Sequence, residues 1–251
     1  MSGHNKWANI KHRKGAQDAK RSQMFTKIIR ELTVAAREGG AVPDSNPRLR
    51  TAIEKAREAN MPKDKIESAI NKGIGAEGAD ALVEIMYEGY GPAGVALIIS
   101  VVTDNKNRTA QEIRHLLSRH GGALAENGAV SWNFERKAIL EVPKNEITDS
   151  DAFLMAAIDA GAEDVDDSDD PVEVVGPVES LGNMRNSIQN SGFTVKAQLS
   201  YLPKTTVKMT GSDAEKLLKL LDSLDDNDDV QEVFGNYEID EAEMEKLAQN
   251  M

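Results

Sequence analysis

The sequence predicts an α+β protein of three domains: an N-terminal three-helix domain and two ferredoxin-like-type α/β domains, the third inserted in the second. Three observations lead to this reading. The chain has 251 residues, more than one domain usually holds. Its hydrophobic period is helical up to a glycine-rich stretch at Gly73 to Ala79 and changes to strands beyond it. A complete βαββαβ order then lies between a ββαβ segment and a terminal βαβ segment that complement each other.

The first fifteen residues lack an apolar period and read as a basic arm. From Ala16 to Arg37, at about 100° per residue, Phe25, Ile28, Ile29, Leu32, Ala35 and Ala36 share one face, while Lys20, Lys27, Arg30 and Arg37 lie nearly opposite. One face is expected to pack and the other to stay cationic. Gly39 and Gly40 stop this helix, and Asn46 followed by Pro47 caps the next, which runs to about Asn60 with Leu49, Ile53 and Ala56 inside. Pro62 opens a third helix with Ile66, Ala69 and Ile70 inside, closed by Gly73.

Glu84 to Tyr90 and the apolar run Val95 to Val102 are predicted strands, Asn107 to His120 a helix stopped by Gly121 and Gly122, and Val130 to Phe134 a further strand. The inserted unit follows. It comprises strand Ala138 to Val142, helix Ser150 to Ala160, strands Glu163 to Val165 and Val172 to Val175, helix Ser180 to Asn190 and strand Thr194 to Leu202. Strand Thr205 to Met209, helix Ser212 to Leu224 and strand Val230 to Phe234 return to the middle domain. The expected boundaries are 1–75 for the helical domain, 80–134 with 204–238 for the middle domain, 135–203 for the insert and 239–251 for a C-terminal tail.

Composition narrows the function. Hydrophobic residues at 40% and charged residues at 29% are those of a folding chain and not a disordered one. Cysteine is absent, which excludes disulfides, thiolate metal sites and cysteine nucleophiles. No stretch approaches the roughly 18 apolar residues of a membrane span, and the first residues hold no apolar signal core, so a cytoplasmic protein without membrane association is expected.

The net charge of −12 hides a segregation. Residues 1–72 carry sixteen Lys and Arg against eight Asp and Glu, and the remainder fourteen against thirty-four. Within the first thirty residues only Asp18 opposes eight cations. A basic module on an acidic body points to a polyanion partner, although charge runs are often plain solvated surface. Each neutralised phosphate would add roughly 0.9 to the log-log salt slope on duplex DNA.

Other motifs resolve into structural roles. Gly89, Gly91 and Gly94 form G-x-G-x-x-G, but Pro92 interrupts it and strand residues follow, so a hairpin loop is expected and no cofactor. The acidic runs Glu163 to Asp170 and Asp225 to Asp229 lack the glycine and glutamate of a calcium loop and read as solvated turns. His4 with His12, and His115 with His120, miss metal-ligand spacing, so no metal is expected. No nucleophile with a partner base stands out, and no small-molecule substrate is expected. Only Trp7 and Phe25 are aromatic in the basic domain, so phosphate contacts should outweigh base stacking. Lys106, Arg108, Arg114 and Arg119 form a secondary basic patch on the middle-domain helix.

The segments GHNKWANIKHRKGAQDAKR, FTKIIRELTVAAREGG, NPRLRTAIEKAREANMP, YEGYGPAGVA, DNKNRTAQEIRH and DDVQEVFGN resemble the YebC family, which includes proteins labelled probable transcriptional regulators and a mitochondrial translational activator. The resemblance spans almost the whole chain. It implies the three-domain arrangement, no known catalysis, and nucleic-acid contacts at Lys6, Trp7, Lys11, His12, Arg13, Lys14, Lys20 and Arg21; the cationic face of the first long helix adds Lys27 and Arg30. DNA-binding transcriptional regulation is the leading expectation, supported by a short turn at Ala59 to Lys63 that permits a helix-turn-helix, although the third helix offers only Asn71 and lysines to base edges. A ribosome-associated translation factor contacting rRNA is the alternative, and a protein-interaction adaptor a third. The protein is expected to be a monomer or weak oligomer.

Overall fold

In the computed structural model the described residues are 17–75 and 82–250, the side chains of 17–20, 241 and 248–250 excepted. Trp132–Thr205 forms one compact unit, and the described residues on either side of it form another.

The second unit opens with three helices, α1 (Gln17–Gly39), α2 (Pro47–Glu58) and α3 (Lys63–Ile74). Leu32, Ala35 and Ala36 of α1 meet Leu49, Ile53 and Ala56 of α2 and Ile66 and Ala69 of α3 in one buried cluster, with Phe25, Ile28 and Ile29 packed against it. The junction between α1 and α2 rests on Asn46, which is buried. Its side-chain oxygen accepts from the Leu49 amide at 3.0 Å, and its Nδ2 donates to the carbonyls of Ala35 and Gly40, each at 2.8 Å. One residue thus caps the start of one helix and the end of another.

Gly73 has a different role from the one expected. It does not close α3, which continues to Ile74; it sits in the last turn where α3 crosses α1. A Cβ there would press into the Thr33 carbonyl oxygen and lie 2.8 Å from Ala36 Cβ. The glycine permits close helix approach, so the expected linker begins only at Gly75, and its residues from Ala76 lie outside the described residues.

The middle domain is a four-stranded antiparallel sheet built from β1 (Val83–Tyr90), β2 (Ala96–Thr103), β3 (Ala123–Leu124) and β9 (Val230–Gly235), in the order β3-β1-β2-β9. Helices α4 (Lys106–Arg119) and α7 (Gly211–Asp225) bury Ile113, Leu117, Leu217 and Leu221 against Leu97, Ile99 and Val101 of β2. The alternate β2 residues Ile98 and Val102 are buried as well, and Val102 meets Val34 of α1 and Leu82. Burial on both faces explains why this strand reads as a continuous apolar run. Gly91 to Gly94 make the β1–β2 turn, with Ala93 and Gly94 at positive φ.

Three expectations for this domain are corrected. Val130 to Phe134 is not a strand, because Ser131–Asn133 is a short 3-10 turn. The donors of this segment go to a side chain: the buried Glu88 carboxylate accepts from the amides of Gly128, Val130 and Ser131 at 2.8, 2.7 and 2.9 Å. Strand β8 is only Val207–Lys208 and pairs in parallel with β10 (Tyr237–Glu238), apart from the main sheet. The terminal residues Glu241–Asn250 form a helix, α8, whose Met244 is buried in the same core as α4 and α7.

The inserted unit follows β4 (Phe134–Val142), α5 (Ser150–Asp159), β5 (Asp164–Asp166), β6 (Val172–Gly176), α6 (Leu181–Asn190) and β7 (Lys196–Pro203). Its sheet order β5-β6-β4-β7 is the ferredoxin-like arrangement. Phe153 of α5 and Phe193 pack edge to face at 5.2 Å beside its core.

Substituting Gly73→Ala should destabilise the chain by about 1–3 kcal/mol through overpacking. Gly182→Ala, where a Cβ meets open space at the start of α6, should not lower the midpoint. Thermal unfolding of both variants checks this; equal midpoints would remove the close-packing role from Gly73.

Candidate nucleic-acid interface

The face of α1 opposite its helical core was expected to be free and cationic, and this is corrected. That face docks onto the middle domain. Lys27 donates to the Asp225 carbonyl at 2.6 Å and its carboxylate at 2.8 Å, and Gln23 donates to the Asp226 carbonyl at 3.3 Å. Arg30 pairs with the Asp229 carboxylate and donates to the Val102 carbonyl at 2.7 Å. Arg37 donates to the Leu82 carbonyl. Val34 lies among these cations and supplies the apolar contact with Val102 and Leu82. Arg48 of α2 adds a bridge, donating to Glu31 at 2.9 Å, Glu38 at 2.7 Å and Glu84 of β1 at 2.9 Å.

Asp229 is the centre of this docking. Its side chain is 4% exposed. Besides Arg30 it accepts from Arg108 of α4 at 2.9 Å, Thr109 at 2.5 Å and Thr103 at 3.1 Å. Burial pushes its carboxyl up, but the Thr109 hydroxyl and the Arg30 and Arg108 guanidinium groups prevail and bring it down to about 2. The run Asp225 to Asp229 is therefore a docking loop and not a solvated turn. A polar groove of about 550 Å³ lies beside it, between Ser22, Gln23 and Thr26 of α1 and Arg108 and Glu112 of α4.

The predicted contacts thus divide. Lys6, Trp7, Lys11, His12, Arg13 and Lys14 lie outside the described residues, as does the side chain of Lys20. Lys27 and Arg30 are occupied by carboxylates. Arg21 is exposed, stands 5.3 Å over the Phe25 ring and reaches the Asn60 carbonyl at 3.4 Å, in the turn between α2 and α3. Lys65 lies 5.5 Å from the same ring. Arg21, Lys65, Arg57 and Lys72 are exposed without a carboxylate partner among the described residues. Lys27, Arg30 and Arg48 thus pair toward the middle domain, whereas Arg21 and Lys65 lie together beside Phe25.

On α4, Lys106, Arg114 and Arg119 are exposed and have no ion pair among the described residues, whereas Arg108 is held by Asp104 and Asp229. His115 is exposed. His120 contacts Ser223 at 3.2 Å, and burial, aided by Arg119 and Lys219, holds its imidazole below the usual value. The sequence reading missed Asp229, whose signal was an acidic run leading directly into the short apolar strand β9. Among the described residues no helix is long and apolar enough to cross a membrane.

A helical region docked on an antiparallel α/β sheet, with a ferredoxin-like unit interrupting that sheet's chain, defines a mixed helix-and-sheet protein of three parts. Residues 5–76 match the TACO1/YebC protein N-terminal domain, and residues 82–237 match the TACO1/YebC second and third domain. The chain belongs to the TACO1/YebC family. A probable transcriptional regulatory protein of Petrotoga mobilis is 68% identical over 251 residues, covering 100% of both chains. One of the same description from Kosmotoga olearia is 60% identical, again over 100% of both. The crystal structure of a conserved hypothetical protein from Aquifex aeolicus, 44% identical, superposes with a TM-score of 0.80 over 89% of this chain and 92% of that one.

A carboxyl held at about 2 in the fold, against an ordinary 3.8, favours the folded state above pH 4. That contribution, about 2 kcal/mol, fades as the pH falls toward 2. Asp229→Asn should be less stable at neutral pH and should lose less stability than the native chain between pH 4 and 2. Acid titration of the unfolding midpoint tests this, and parallel curves would count against the buried network.

Proposed function

We propose that the protein is a regulator of gene expression that binds nucleic acid, duplex DNA in the first instance, through its basic helical domain, and that it is not an enzyme. The observation that carries this reading is that, among the described residues, Arg21, Arg57, Lys65 and Lys72 have no carboxylate partner, whereas most other described cations of the helical domain are held by internal contacts. Exposed guanidinium and ammonium groups without carboxylate partners suit a phosphate backbone. Lys6, Trp7, Lys11, His12, Arg13, Lys14 and Lys20 extend the same contact, with phosphate as their partner. The naming of the Petrotoga and Kosmotoga relatives as probable transcriptional regulatory proteins supports the regulatory role.

In this reading Arg21 and Lys65 position the protein on the backbone. Helix α3 contributes little base reading, because Asp64 and Glu67 share its exposed surface with Lys65 and Asn71. Lys27 and Arg30 reach phosphate only by exchanging Asp225 and Asp229 for it.

The test is a competition at physiological salt between a duplex DNA of about 30 base pairs and purified ribosomes for the labelled chain. Retention on duplex is expected. The double substitution Arg21→Ala with Lys65→Ala should reduce the magnitude of the log-log salt slope by roughly 2. Capture by ribosomes by more than about tenfold, or 1.4 kcal/mol, would replace the DNA reading with rRNA binding and a role in translation.

A further inference from the structure

We infer that α4 of the middle domain is a second nucleic-acid contact, and that its stripe Asn107, Gln111, Arg114 and Ser118 reads base edges in the major groove of duplex DNA. This rests on the nucleic-acid reading above and adds the specificity that the helical domain lacks.

The argument begins with helix geometry. Counting about 100° per residue from Lys106, these four side chains fall between about 80° and 140°. They form one row about 16 Å long at 1.5 Å per residue. All four are exposed, and none has a side-chain hydrogen bond or ion pair with another described residue. The opposite side of α4 is anchored by Thr109, Ile113 and Leu117, each 0% exposed. The row therefore stands on a rigid element, as a reading surface requires.

Chemistry selects the occupant. Asn and Gln match the donor and acceptor pair of adenine, Arg matches the two acceptors of guanine, and Ser serves either. Lys106 and Arg119 flank the row with cationic groups suited to phosphate. The carboxylates of α4 and of the turn that opens it are already engaged: Asp104 pairs with Arg108 at 2.8 Å, and Glu112 accepts from Asn227 at 2.9 Å. In a body where acids outnumber bases by more than two to one after residue 72, a helix face without a free carboxylate stands apart. The wide major groove of B-form DNA admits a helix, whereas that of A-form RNA is too deep and narrow. The geometry favours duplex DNA.

The experiment uses the full chain. Duplexes with a randomised central segment are selected on the native protein, and affinities for the selected and a scrambled duplex are compared for the native chain and for Asn107→Ala, Gln111→Ala and Arg114→Ala. Circular dichroism confirms folding of these surface variants. Each substitution should lower the ratio of selected to scrambled affinity about tenfold and relax the preference at its own base positions. Binding without any sequence preference, or a preference that survives all three substitutions, would overturn the role of α4 and leave the proposed function standing. Failure to bind duplex at all would overturn both.

Discussion

The Asp229 carboxylate ties together the helical domain, the sheet and α4. Arg30 approaches it from α1, Arg108 and Thr109 from α4, and Thr103 from the end of β2. A buried ion network of this kind is a poor source of net stability, because desolvation offsets much of the attraction. It is nevertheless a strict geometric condition. Removing one member leaves the others buried without compensation, so α1 has one register on the sheet in which all are satisfied. Val34 against Val102 adds a small apolar contact, and Lys27 and Gln23 fasten the neighbouring loop.

This constraint explains why so much basic charge is spent internally. Asp225 at the end of α7 and Asp229 just before β9 occupy Lys27 and Arg30, while Glu31, Glu38 and Glu84 occupy Arg48. What remains outward is determined by which side of the three-helix domain meets the sheet. Arg21 and Lys65 instead meet the Phe25 ring, and among the described residues neither has an ion pair with a carboxylate.

The three helices, the hairpin at Gly91 to Gly94 and the βαββαβ order were legible because each follows from a local signal: period, cap or turn residue. Asn46 with Pro47 announced α2 without reference to anything distant. The misreadings have a common cause, which is a partner far along the chain. Arg30 lies 199 residues before Asp229, so its face looked free. Val130 and Ser131 looked like strand residues until their amides met Glu88, more than forty residues earlier. Gly73 looked like a helix stop because only α1, passing within contact, reveals its packing role. Of the candidate site, the type and sign of the residues were readable, whereas their occupancy was not.

On the proposed reading, a protein of net charge −12 binds a polyanion. Long-range repulsion from the acidic body is screened beyond roughly 8 Å at physiological ionic strength, so local charge decides whether phosphate can approach. Around Arg21 and Lys65, and along the outer row of α4, the local cations have no ion pair among the described residues, and beside α4 Asp104 and Glu112 are turned to other partners. On the same reading, the acids distant from these surfaces would disfavour loose, nonspecific adhesion of the rest of the chain to nucleic acid. On the proposed reading, segregated charge would let the basic surfaces of the helical domain and α4 meet the phosphates.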